Sequence, residues 1–115
     1  MARRNPWYYF NIAAVKAAKS PGRNYMLAAL GLRSDGAIVC SANGHPKHPN
    51  RDSHAEKRLC RKLDKGASVF VVRVGANGEF RLSRPCALCL FSMKVREVKR
   101  IYYTISSTEY GVIDL

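Results

Sequence analysis

Three short features of the sequence carry residues suited to chemistry: His54-Ala55-Glu56, Pro85-Cys86 and Cys89. Each alone is common by chance. Together they suit the activation of water by a metal ion. A catalytic zinc site takes three protein ligands and keeps a fourth position open. One His and two thiolates around Zn2+ leave no net charge. Cys86 and Cys89 are three residues apart at an expected helix start, so both sulfurs can point to one spot. A helix amino terminus also favours bound anions such as thiolates. His54, opening another helix, supplies the third ligand, and water in the open position is acidified toward hydroxide. Glu56, two residues further on, can approach that water without ligating the metal. A carboxylate there takes a proton from water and returns it to a leaving group.

Other uses of these residues fit less of the pattern. A closed structural zinc site would draw a fourth ligand from His45, His48 or Cys60, but it explains neither Glu56 nor Pro85. A redox pair would place its C-x-x-C just after a strand near the start of the domain. Cys40 and Cys60 are isolated and flanked by apolar residues, and read as buried small hydrophobes. His45 and His48 read as loop residues that would line a pocket mouth if they function.

The elements that must position these groups follow from pattern. Asn5 and Pro6 suit a helix start, and Trp7 to Lys19 reads as a helix with Ile12, Val15 and Ala18 among its apolar positions. Tyr25–Leu32 and Ala37–Ser41 read as a hairpin about the Ser34-Asp35-Gly36 turn. Residues 43–53 form the longest irregular stretch. A helix follows from His54 or Ala55 to Leu63, with Ala55, Leu59 and Leu63 on its core face. Val69–Val74 is a β-branched run expected to be buried on both faces. Asn77-Gly78 is a turn, and Glu79–Leu82 a short extension. Cys86–Glu97 reads as a helix, with Leu88, Phe91, Met93 and Val95 among its apolar positions. Arg100–Ile105 and Tyr110–Leu115 are strands. The result is an α/β fold: a three-layer α-β-α sandwich with a five-stranded mixed sheet, three helices and a C-terminal β-hairpin.

The 115 residues make one expected domain, 1–115, large enough for a core without disulfides. Composition, 47% hydrophobic and 24% charged, excludes disorder and collagen. With no signal peptide or apolar run of membrane-spanning length, a cytoplasmic location is expected. Twenty Lys and Arg against eight Asp and Glu give a net charge of +12. Such a field attracts phosphorylated molecules, nucleic acid or acidic surfaces, and gives nothing to a neutral solute.

The combined pattern resembles the cytidine deaminase-like superfamily, which acts on cytidine, deoxycytidylate, guanine, tRNA adenosine and polynucleotide cytosine. H-x-E followed by P-C-x-x-C is a signature of zinc deaminases that attack C4 of cytosine or C6 of adenine. The likeness runs along nearly the whole chain. It implies His54, Cys86 and Cys89 as ligands of a zinc cofactor and Glu56 as the proton shuttle. Asn43 is similar to an Asn of the tRNA adenosine deaminases that contacts base or sugar, and Ala55 would present backbone groups to the base. Ser53, Arg84 and Pro85 complete the expected substrate contacts. About ten residues follow Ile105, where some of these enzymes continue into further helices. That favours the hairpin-ended members and cytosine over adenine. The expected activity is therefore zinc-dependent conversion of cytosine to uracil in a nucleotide of the deoxycytidylate or cytidine type. The alternatives are deamination of cytosine or adenosine in single-stranded DNA or RNA, and a nucleic-acid-binding module with structural zinc and no catalysis. A homo-oligomer, dimer or tetramer, is expected, with no membrane partner.

Overall fold

The structure, a computed structural model, describes residues 5–18, 26–42, 59–75 and 77–115. In chain order the elements are α1 (Pro6–Ala18), β1 (Met26–Leu32), β2 (Ile38–Ala42), β3 (Ser68–Val74), β4 (Phe80–Arg81), α2 (Ala87–Val95), β5 (Arg100–Thr104) and β6 (Tyr110–Asp114). A helical segment holding Leu59 and Cys60 precedes β3. The strands form one open mixed sheet in the order β2-β1-β3-β5-β6, with β4 beside β3. Among the described strands only β3 and β5 run parallel; Val71 lies opposite Tyr103. β4 takes over the same side of β3 at Arg73 and Val74, beyond the last β5 pairing. This short strand makes six where the sequence pattern suggests five.

β3 is the axis. Its Val69-Phe70-Val71-Val72 run is buried on both faces, as the sequence predicts. Successive side chains alternate between the two sides of a sheet. Phe70 and Val72 join Tyr9, Phe10 and Ala13 of α1 in one cluster. Val69 and Val71 join Leu59, Cys60, Leu63, Cys89 and Met93 in the other. Helical layers thus cover both faces, and β5 and β6 form the expected terminal hairpin, with Thr104 opposite Tyr110.

α1 begins as expected. Asn5 Oδ1 accepts the Trp7 N–H at 2.9 Å, and Pro6 opens the helix. Its buried face differs from the apolar positions singled out in the sequence, because Val15 is exposed and Tyr9, Phe10 and Ala13 turn inward. Aromatic contact decides the rotation. Phe70 lies 4.6 Å from Tyr9 and 5.8 Å from Phe10 between ring centroids.

Two further differences concern helix ends and faces. The second helix is expected to reach Leu63, but helical backbone ends at Cys60. The chain then tightens, with the Lys62 N–H bonded to the Leu59 carbonyl at 2.8 Å. That turn still delivers both Leu59 and Leu63 to the core. On α2, Cys89 and Met93 are the buried residues, whereas Leu88, Phe91 and Val95 form an exposed stripe at helical spacing. No helix among the described residues is long and apolar enough to cross a membrane.

Gly31 shows how closely the second helical layer sits. A Cβ there would overlap the Leu63 side chain and press on Val39. Gly31→Ala is expected to cost about 1–3 kcal/mol through overpacking, read as a lower midpoint in urea unfolding.

Candidate active site

Open α/β sheets bind ligands outside the carboxyl ends of their strands, where neighbouring connections diverge. Here that place is the end of β3 and β5, and one residue organises it. Ser83 is buried between the strands. Its hydroxyl donates to the Val71 carbonyl at 2.8 Å, and the Thr104 N–H donates back to that oxygen at 2.8 Å. The Ser83 N–H donates to the Thr104 carbonyl at 2.9 Å. Thr104 Oγ1 donates to the Arg81 carbonyl at 2.7 Å, which ties β4 into the same knot. Arg84, Pro85 and Cys86 leave directly from this anchor. Pro85 is buried and turns the chain toward α2.

Cys86 is the N-cap of α2, in extended conformation at φ −71° and ψ 166°, and its side chain makes no capping bond. Its carbonyl accepts the Leu90 N–H at 3.0 Å, so Cys89 sits one turn further along the same face. The two Sγ atoms lie 3.4 Å apart and form no disulfide. Cys86 is exposed and Cys89 is buried at 2%. Two thiolates sharing a tetrahedral zinc ion at about 2.3 Å each would lie about 3.8 Å apart. The pair therefore fits two positions of a zinc site with a small adjustment, one sulfur fixed in the core and one facing outward. The first turn of α2 carries no acidic side chain to oppose bound anions. Among the described residues, no group of three or more His, Cys, Asp or Glu side chains is gathered as a metal site.

No protein-family model matches the sequence, and no curated protein matches it. Solved structures do match. One is the 1.6 Å crystal structure of cytidine deaminase from Burkholderia pseudomallei, with a TM-score of 0.72, 17% sequence identity, and coverage of 96% of this chain and 93% of that one. This chain has the cytidine deaminase fold. At that identity the likeness establishes the backbone arrangement, and the roles of side chains rest on their own geometry.

Within the cytidine deaminase fold, the structure brings together Arg84, Pro85, Cys86 and Cys89 of the residues singled out in the sequence. Asn43, Ser53, His54, Ala55 and Glu56 lie outside the described residues, as do His45 and His48. Cys60 is buried in the same cluster as Cys89. Cys40 is half-buried on β2, and burial pushes its thiol above the ordinary range. Cys60 is buried as its apolar neighbours in the sequence suggest, whereas Cys40, expected to be buried, is only partly so because β2 is an edge strand of the sheet.

Tyr102 and Tyr103 separate cleanly. Tyr102 stacks on Phe70 at 4.6 Å in the α1 layer. Tyr103 faces the other side, packed against the Cys89 cluster, and its hydroxyl accepts a bond from Arg84 at 3.2 Å. Ser83 and Thr104, which tie the strand ends beside the cysteine pair, carry no motif signal in the sequence; of the two tyrosines, either of which could lie near a pocket or be a plain strand aromatic, Tyr103 is the one on the cysteine side. For Tyr103 the available signal is strand alternation: of two adjacent tyrosines on a central strand, one must face each layer.

Ser83→Ala would leave the Thr104 N–H and the Val71 carbonyl buried without this partner, at about 1–3 kcal/mol. A lowered denaturation midpoint checks it. In metal-free protein, iodoacetamide is expected to modify Cys86 at least tenfold faster than Cys89, with added zinc slowing the reaction. Peptide mass spectrometry resolves the two sites.

Proposed function

We propose that this chain is a zinc-dependent hydrolytic deaminase that converts cytosine to uracil in a nucleotide of the deoxycytidylate or cytidine type. The observation that carries the proposal is the Cys86–Cys89 pair at the mouth of α2, at the carboxyl ends of the parallel strands of a cytidine deaminase fold. Cys86 and Cys89 would hold the zinc together with His54. His54 lies five residues before Leu59, and Leu59 is packed in the same cluster as Cys89. When bound, zinc supplies Lewis-acid activation of water at neutral pH.

The remaining chemistry belongs to the chain. The net reaction consumes one water and releases one ammonia for each cytosine. Glu56 takes a proton from the incoming water and delivers one to the departing amino group, so a single carboxylate serves as base and then acid. Asn43, Ser53 and the Ala55 backbone hold base and sugar. Pro85, buried beside the Ser83 anchor, fixes the direction in which the chain enters α2.

A second reading, deamination of a base in single-stranded DNA or RNA, is favoured by the net charge of +12, which suits a polyanion at least as well as a mononucleotide. An assembly of two or four copies is proposed in either case. The exposed Leu88, Phe91 and Val95 stripe offers apolar surface for it.

The test is ammonia release by zinc-loaded protein on deoxycytidine, deoxycytidylate, cytosine-bearing single-stranded DNA and RNA, and an adenosine-bearing RNA hairpin. Glu56→Ala is expected to lower turnover by at least 10²–10⁴-fold, with zinc content and circular dichroism unchanged. Deamination that survives in Glu56→Ala refutes the assigned role. Zinc retained without turnover of any substrate would point to the structural-zinc module.

A further inference from the structure

On the deaminase reading above, we propose that Arg84, held against Tyr103, is an anion subsite that takes a phosphate group of the substrate.

The first observation is charge compensation. Arg33, Arg81 and Arg100 each meet a carboxylate, on Asp35, Glu79 and Asp114, at 3.2, 2.8 and 2.6 Å. Arg84 is treated differently. Its one hydrogen-bond partner among the described residues is neutral, the Tyr103 hydroxyl at 3.2 Å. The guanidinium carbon sits 5.6 Å from the Tyr103 ring centroid. A guanidinium has five N–H donors in a planar fork. One bond to a phenol leaves most of that fork, and the whole charge, available to an external anion. Arginine is well matched to phosphate because the fork can bond two oxygens at once.

The second observation is that the arrangement is held in place. Gly111 of β6 lies opposite Tyr103 of β5. A Cβ at Gly111 would overlap the outer atoms of the Tyr103 ring, including its hydroxyl oxygen. Glycine weakens a strand, and one inside a strand often marks a close approach. Here it lets the phenol lie across the β6 backbone, where the ring supports Arg84. The Tyr103 hydroxyl accepts from Arg84 and keeps its own proton to donate, which gives a second donor beside the fork.

The third observation is position. Arg84 is two residues before Cys86, so their Cα atoms are at most about 7.6 Å apart. In a nucleotide the phosphate is separated from the reacting base by the sugar. A cation next to the chemistry, rather than at it, is what such a substrate needs. The shared ligand chemistry is a phosphate monoester on a free nucleotide or a phosphodiester in a strand.

The experiment uses the zinc-loaded full chain and compares wild type with Arg84→Gln, Arg84→Lys and Tyr103→Phe. Substrates are deoxycytidine, deoxycytidylate and a short cytosine-bearing single-stranded DNA. Arg84→Gln is expected to lower the ratio of kcat/KM for deoxycytidylate over deoxycytidine at least tenfold, mainly through KM. Arg84→Lys should restore part of that ratio, and Tyr103→Phe should lower it by a smaller factor. A loss confined to deoxycytidylate identifies the monoester, and a loss extending to the DNA identifies phosphate in general. Equal loss on deoxycytidine and deoxycytidylate would make Arg84 structural and overturn the proposal, as would an unchanged ratio. Calorimetric titration of deoxycytidylate and of deoxycytidine into the same proteins separates the two claims. If wild type turns over nothing yet Arg84→Gln binds deoxycytidylate tenfold more weakly, the deaminase reading falls and the subsite stands. If wild type is active and neither the binding nor the ratio responds to Arg84→Gln, the subsite falls alone.

Discussion

The architecture depends on how two parallel strands are allowed to part. β3 and β5 pair through Val71 and Tyr103 and then diverge, which would leave buried backbone groups without partners. Ser83 fills the gap. It pairs with Thr104 in both directions and reaches the Val71 carbonyl through its side chain, acting as one residue of a missing strand. Because it is fixed on both sides, the next three residues start from a defined point. The sheet can therefore open at its carboxyl end without losing hydrogen bonds, and the opening is where the Cys86–Cys89 turn begins.

The electrostatics follow the same division. Most acidic groups of the described residues are used in local structure. Asp64 accepts the Ser34 N–H and hydroxyl, and these bonds hold its carboxyl below its usual range. Asp35 is lowered by the Ala37 N–H and by Arg33. Glu79, at the end of a tight turn, is lowered by backbone N–H groups and by Arg81 two residues on. These pairs lie at the surface, where each contributes little to stability. Their effect is to neutralise particular arginines and to leave the positive excess on others.

Much of the fold was legible because the deciding signals are local. The β-branched run at 69–74 reads as a buried strand, and Asn5-Pro6 suits a helix start. The Cys86 and Cys89 spacing needed nothing beyond helical geometry. What was hidden depends on partners distant in sequence. The inward face of α1 is set by Phe70, some sixty residues away, so residue type alone does not tell exposed Val15 from buried Phe10. Ser83 is an ordinary serine in sequence, and its importance comes from Val71, twelve residues back, and Thr104, twenty-one residues on. α2 carries more apolar residues than its core contact uses, so apolar type alone does not separate buried Met93 from exposed Leu88, Phe91 and Val95. The His54 and Glu56 half of the motif rests on sequence and on the likeness it supports.

The alternation along β3 has a further consequence. Residues 70 and 72 touch the α1 layer, and residues 69 and 71 touch the layer that contains Cys89. Odd and even positions of one strand thus belong to different halves of the molecule. A substitution at the even positions is felt first by the aromatic rings of α1 and β5. One at the odd positions reaches the floor beneath the cysteine pair within a single contact. A change at one position is therefore felt first on one face and a change at the next position on the other, so the boundary between the two halves is one residue wide.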